Sequence, residues 1–148
     1  MSAVQIVRAR WRDAWALRDL DRRCFNAIDA YDWFTYLNLC IWPGVVALKA
    51  LADEQIVGFV AGDPRAQAGQ VIIVTLSVDP YWRRRGVAER LLHTCEAHFD
   101  QPRFQLMVRI SNTAAIRLYE KMGYVIAERA PRYYQNEDGY SMIKTVQS

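Results

Sequence analysis

Apolar and polar positions alternate from Val4 to Arg8, with Val4 and Ile6 on one side, and this predicts a first strand. From about Asp13, an N-cap by residue type, Trp15, Ala16, Leu20, Cys24 and Phe25 recur at helical spacing. Asn26 to Asp32 reads as a loop, and Tyr31-Asp32-Trp33-Phe34 leads into a short helix ending near Leu39, before Pro43-Gly44. Val45 to Leu51 and Ile56 to Gly62 are then two strands of an antiparallel hairpin around Asp53-Glu54-Gln55. Gly62 to Gln70 is loop. The β-branched run from Val71 to Val78 predicts a central strand covered on both faces, stopped by Asp79-Pro80.

The second half alternates strand and helix. A helix is predicted over about Gly86 to Phe99, with Val87, Leu91, Cys95 and either His98 or Phe99 turned inward. Phe104 to Val108 follows as a strand, Arg109 to Asn112 as a turn, and a helix runs from about Thr113 to a C-cap at Gly123. Tyr124 to Glu128 and Tyr140 to Val146 close the chain as paired strands around an Asp138-Gly139 turn. A hairpin followed by alternating strands and helices implies an α/β (α+β) fold, one mixed sheet with helices on both faces, as a single domain over residues 1–148.

Composition agrees and removes some alternatives. A chain of 148 residues that is 52% hydrophobic can build one real core. The net charge of +3 sits in local clusters such as Arg22-Arg23, whereas a nucleic-acid binder is more often basic across a whole face, so no nucleic-acid partner is expected. No apolar run approaches the roughly 18 residues that span a bilayer, and the start lacks the charged-then-apolar layout of a secretory leader. The three widely spaced cysteines read as reduced, packed thiols of a cytoplasmic protein. His93, Cys95 and His98 look like metal ligands in the text. On a helix Cys95 points away from His93, so no metal site is expected.

The chemistry begins at Arg83-Arg84-Arg85, directly before Gly86-Val87-Ala88 at the start of a predicted helix. Cations are disfavoured at that end, where the helix carries partial positive charge and unpaired N–H groups. Guanidinium groups fit there if a polyanion such as a diphosphate docks on the same N–H groups. Read otherwise, the arginines are a solvated charge run or an RNA contact.

Leu76-Ser77-Val78-Asp79-Pro80, the Arg83 to Ala88 block, and Asn112 through Tyr124 together resemble the GCN5-related N-acetyltransferases. Arg83, Gly86 and Ala88 stand at the defining positions of that family's Arg/Gln-x-x-Gly-x-Gly/Ala pyrophosphate loop. Within the family, Arg109 to Glu120 and the tail Arg132-Tyr133-Tyr134 with Glu137 to Met142 look most like the protein N-terminal acetyltransferases, including those of ribosomal proteins.

The resemblance implies an acetyl-CoA cosubstrate, no metal, and a sheet splayed where the cofactor lies. Backbone groups of Leu76, Ser77 and Val78 would pair with the pantetheine arm, and the amides from Arg84 through Arg85, Gly86 and Val87 to Ala88 would hold the diphosphate. Asn112 is an N-cap or a cofactor contact on residue type alone, and the resemblance gives it both roles. Tyr119 is a core aromatic by type, and the resemblance makes it the general acid that protonates the departing thiolate. Ribosomal-protein acetyltransferases of this look carry a Glu base where this chain has Met107. Asp32, Glu137 and Asp138 are the remaining carboxylate candidates, beside a water relayed by backbone carbonyls. Tyr31, Trp33, Tyr133 and Tyr134 flank the acceptor channel in relatives, or else pack as lids. A site without a strong base suits an N-terminal α-amine as acceptor. A small-molecule amine is the alternative substrate, and a silent CoA-binding sensor the alternative function.

Overall fold

The computed structural model describes residues 3–24 and 31–146. Its strands are β1 (Val4–Arg8), β2 (Val46–Ala52), β3 (Gln55–Asp63), β4 (Gln70–Val78), β5 (Arg103–Arg109), β6 (Val125–Ala130) and β7 (Gly139–Thr145). They form one seven-stranded sheet in the order β1-β2-β3-β4-β5-β7-β6. Every pair is antiparallel except β4 with β5. Helices α1 (Ala14–Cys24) and α2 (Trp33–Ile41) cover one face, α3 (Val87–Glu96) and α4 (Thr113–Lys121) the other. No helix of the described residues is long and apolar enough to cross a membrane.

Two cores result, one on each face of the sheet. Leu17, Leu20, Leu39 and Tyr36 pack on Phe59 beneath α1 and α2, while Leu91 and Leu92 pack on Val71, Leu106 and Met142 beneath α3. Each fully buried leucine contributes about 1.5–3 kcal/mol. Strand β4 is covered on both sides, as its unbroken β-branched run predicts.

The local differences from the sequence reading have physical causes. The buried face of α1 is Ala14, Leu17, Leu20 and Asp21, and Trp15 is 58% exposed with Arg18 stacked on it. Of the residues expected to face inward, Leu20 is buried and Cys24 packs on the core, whereas Trp15 and Ala16 are exposed. Asp13 caps a preceding 3-10 turn through Arg10 N (2.7 Å) and pairs with Lys49, instead of capping α1 itself. Helix α3 stops at Glu96, and of the two inward candidates Phe99 packs on the core while His98 is exposed. Asp138-Gly139 is not the hairpin turn. β6 and β7 are joined by residues 131–138, where Arg132 and Gln135 take positive φ, and Gly139 opens β7. Phe25 and most of the expected loop from Asn26 lie outside the described residues.

One feature of the sheet creates the site. β4 and β5 pair only from Gln70↔Arg103 to Ile72↔Gln105. β4 nevertheless continues beside β3 to Val78, and β5 beside β7 to Arg109. The two strands therefore diverge, and among the described residues the far end of β4 has no strand partner on its β5 side. The split coincides with a bulge: Gly62 pairs with Ile73 but Ala61 with Thr75, which leaves Val74 as an extra residue in β4.

Candidate active site

The start of α3 is brought to the split by a close approach. A Cβ at Gly58 would lie 2.9 Å from Leu91 Cδ1 and 3.3 Å from Val87 Cγ1, so only glycine lets α3 sit this low on β3. Gly58 pairs with Val78, the last residue of β4. Leu76, Ser77 and Val78 thus end beside the first turn of α3. Val87 turns its side chain into the core, so it can offer a ligand only its backbone N–H.

Between them runs a loop shaped by backbone geometry. Asp79 accepts from Tyr81 N (2.9 Å) and caps a short 3-10 turn over Pro80–Trp82. Arg84 (φ +63°) and Gly86 (φ +78°) both take left-handed backbone, which turns successive N–H groups toward one side. Gly86 is the N-cap of α3 and supplies no side-chain cap, and a Cβ there would meet nothing within 4 Å. The opening amides of α3 therefore receive no hydrogen bond from an N-cap side chain. Arg83, Arg84 and Arg85 are exposed, and among the described residues none forms an ion pair. Arg83 Nε donates to the Val78 carbonyl (3.2 Å), and Arg85 stacks on Trp82 (4.8 Å). A helix start without a side-chain cap, beside exposed guanidiniums that form no ion pair, fits a diphosphate.

Helix α4 stands on the same face as α3. Asn112 caps it by accepting from Ala115 N (3.2 Å), which leaves the amide nitrogen of the side chain for other partners. Two turns on, Tyr119 is 9% exposed, with its ring 6.0 Å from that of Tyr124. Burial alone pushes its phenol up to about 12. It is a neutral acid at any ordinary pH.

The opposite face of β5 carries the acceptor-side candidates. Phe104, Leu106 and Val108 face the core under α3 and α4, so Gln105, Met107 and Arg109 face the α1/α2 side. Met107 lies under Gly139, whose missing Cβ leaves room for Tyr134 and Tyr133. Gln105 donates to Ser141 Oγ (3.1 Å). Arg109 donates to Glu137 (2.9 Å) and Asn136 (2.9 Å) and stacks on Tyr134 (4.6 Å). Tyr133 and Tyr134 pack edge to face at 4.9 Å. On the α1/α2 side, Trp33 packs on Trp15 (5.4 Å) and Tyr31 on Tyr36 (6.1 Å).

All three candidate carboxylates are engaged in local structure. Asp32 caps α2 through Thr35, which holds its carboxyl below the usual range. Glu137 is lowered by hydrogen bonds from Ser111 and Arg109. Asp138 is lowered by Arg132 N and Arg129. A lowered carboxylate is a poorer proton acceptor.

The site is thus an arginine-flanked helix start set where a mixed sheet splits. The acetyltransferase (GNAT) family model matches residues 14–124. The chain belongs to that family and is an N-acetyltransferase. It is 36% identical over 123 residues to the N-terminal acetyltransferase B complex catalytic subunit NAA20 of Arabidopsis thaliana, covering 77% of this chain and 68% of that one. It is 28% identical to the L-amino acid N-acetyltransferase AaaT of Escherichia coli over 90% of each chain. The fold matches the ribosomal-protein-S18-alanine N-acetyltransferase of Escherichia coli with a TM-score of 0.86 at 21% identity, over 99% of this chain and 96% of that one. It also matches the PaiA N-acetyltransferase of Thermoplasma acidophilum in complex with coenzyme A (TM-score 0.83, 17% identity, 97% and 99% covered).

Several parts of the site escaped the sequence reading. Gly58 and Asp21 had visible signals, a glycine inside a strand and a lone acid on the apolar stripe of α1. The Arg109–Glu137 pair had none, because its partners lie on separate elements.

Proposed function

We propose that the protein transfers the acetyl group of acetyl-CoA to the α-amine of a protein or peptide N-terminus. The cofactor, when bound, supplies an acyl group activated as a thioester. The amides from Arg84 to Ala88, with the flanking guanidiniums, hold its diphosphate. The edge of Leu76 to Val78 that β5 leaves uncovered binds its pantetheine arm, and one N–H there polarises the thioester carbonyl. Asn112 adds its free side-chain nitrogen. Tyr119 gives its phenolic proton to the departing sulfur. Tyr31, Trp33, Tyr133 and Tyr134 border the acceptor slot. The free, widely separated cysteines suit the reducing cytoplasm.

The observation that supports the acceptor assignment is that, among the described residues, none of the carboxylates expected as base is set up to take a proton. Met107 cannot take a proton, and Asp32, Glu137 and Asp138 are tuned away from doing so. The acceptor must then lose its proton through water before attack. An α-amine, with a pKa of about 7.7–8, is neutral to roughly a tenth or a fifth at pH 7, while a lysine at about 10.4 is neutral in under about one part in a thousand. The likeness to NAA20, a catalytic subunit of an N-terminal acetyltransferase, supports the same choice.

A second reading, acetylation of a free amino acid or other small amine, is favoured by one observation. The amino-acid acetyltransferase aligns over 90% of both chains. Thiol release from acetyl-CoA, measured against N-terminal peptides, free amino acids, polyamines and an N-blocked lysine peptide, separates these outcomes. Peptide α-amines should turn over fastest. Faster reaction of the blocked lysine peptide would sink the base-free argument, and faster reaction of free amino acids would transfer the assignment to the small amines.

A further inference from the structure

The last turn of α1 touches both halves of the site. Asp21 is fully buried, at 0% exposure, in an otherwise apolar helix face. Its Oδ2 accepts from Tyr31 N at 2.6 Å, and its Oδ1 accepts from the Tyr36 hydroxyl. Two residues on, Arg23 Nε donates to Asp79 Oδ2 at 2.9 Å, and Cys24 Sγ donates to the Val78 carbonyl at 3.3 Å. Tyr36 is itself wedged edge-on against Phe59 of β3 (5.5 Å, 72°), so the hydroxyl that holds Asp21 is fixed by the sheet. The backbone of Tyr31 is thus hung from a carboxylate whose own helix is tied to the end of β4.

A buried carboxylate is costly unless donors satisfy it, and this one is satisfied partly by the main chain of an acceptor-side residue. That expense has no evident return in packing, since a leucine would fill the same stripe at less cost. We propose that Asp21 is a positioning residue, which fixes Tyr31 at the acceptor slot in register with the Val78–Asp79 strand end. The inference rests on the reading of the site as an acetyltransferase with Tyr31 beside the acceptor.

The test measures KM for acetyl-CoA and for the best acceptor of the panel above, with melting temperature, in the full chain. Asp21→Leu keeps the bulk and removes both acceptor oxygens. It should raise the acceptor KM about tenfold, while kcat at saturation and the acetyl-CoA KM stay within about twofold. Should that variant fail to fold, Asp21→Ser, too short to span to Tyr31 N, takes its place. Asp21→Asn should recover most of the acceptor affinity, because its carbonyl still accepts from Tyr31 N while its amide donates to the Tyr36 oxygen. Tyr36→Phe removes one bond to Asp21 but leaves the one to Tyr31, so it should lower the melting temperature without moving either KM. Tyr31→Ala should match Asp21→Leu, and the double variant should be no worse than either alone. An unchanged acceptor KM in Asp21→Leu or Asp21→Ser overturns the proposal. So does an equal rise in the acetyl-CoA KM, or additive effects of the two single changes. Those results leave the acetyltransferase reading intact. A wild-type chain inactive on every acceptor would sink that reading first.

Discussion

The two halves of the site are built on opposite principles. At the start of α3 the helix takes no side-chain cap, and the three exposed arginines before it form no ion pair among the described residues, with Arg83 donating to the Val78 carbonyl and Arg85 stacking on Trp82. On the outer face of β5 and β7, Gln105, Arg109 and Glu137 are tied to one another's elements. The first half is a set of backbone and guanidinium donors, the group that the proposed function assigns to the cofactor diphosphate. The second is a finished surface whose polar groups are used to hold shape. A shared cofactor can be read by backbone and charge alone, whereas an acceptor must be chosen by contour, and contour requires its walls to be pinned.

The sharpest way to break that contrast is at Tyr119, buried on α4 beside Tyr124. Tyr119→Phe keeps the ring in its pocket beside Tyr124 and deletes only the proton donor. We expect kcat to fall about 10²–10⁴-fold with coenzyme A binding retained by calorimetry. A variant within about threefold of wild type would mean that water protonates the leaving sulfur and that the tyrosine is merely core. Next in size is the arginine cluster. Replacing Arg83, Arg84 and Arg85 together by Ala should raise the acetyl-CoA KM about 10–100-fold and leave the acceptor KM nearly unmoved. Raising salt from about 0.05 to 0.5 M should weaken cofactor binding in the wild type much more than in the triple variant, because exposed charges are screened at that strength. Equal salt dependence in the two proteins would show that the amides, not the guanidiniums, carry the affinity.

How much could be read beforehand follows the same division. The β4 run, the stop at Asp79-Pro80 and the Arg83 to Ala88 block are contiguous in sequence, so the strand, the loop and the helix start were all legible. The antiparallel hairpin was too: Asp53 and Glu54 take positive φ (49° and 70°), the turn geometry a two-residue connection requires. The split of the sheet is different. It depends on a one-residue bulge at Val74 and on where β5 stops pairing, and neither leaves a mark on local propensity. The acceptor side was least legible. Asp138 looked like a hairpin turn residue because Asp-Gly usually is one, but its carboxylate instead gathers Arg129 and Arg132 N from the strand end and loop before it. Trp15 looked like core because large aromatics usually are, while the helix buried the smaller Leu17 and the acid Asp21.

The dependence of rate on pH separates the halves further, with a smaller effect. The carboxylates of the acceptor side are held below their usual range, so they stay ionised through any neutral assay. As the proposed proton donor Tyr119 would act in its protonated form, and burial pushes its phenol up to about 12, so its loss falls above the assay range. What remains is the acceptor amine. kcat/KM should climb about five- to tenfold from pH 7 to 9, level off above an apparent pKa of about 8, and show no descending limb below about pH 10. An ascending limb near pH 5–6 would reveal a raised carboxylate base, and the two halves would no longer differ in kind.

The smallest expected effect isolates the wall itself. Glu137 joins Ser111 N (2.9 Å), one residue before the cap of α4, to Arg109 on β5 (2.9 Å). Those bonds favour its ionised form, so its folded value lies below the unfolded one of about 4.3. The stability that it adds is therefore complete above about pH 5 and fades as the pH falls through the lower, folded value. Glu137→Gln keeps one acceptor oxygen and discards the charge. Its melting temperature should sit slightly below the wild type at pH 7, and the gap should close on acidification toward pH 3. Its pH–rate curve should keep the limb near 8, with kcat reduced a few-fold at most because Asn112 and Tyr119 share the helix that Ser111 helps to place. If the melting gap widened in acid, the ion pair would not be what anchors this corner. If instead the rate limb moved, Glu137 would be exchanging protons with the acceptor, and the finished surface would contain the base that its geometry argues against.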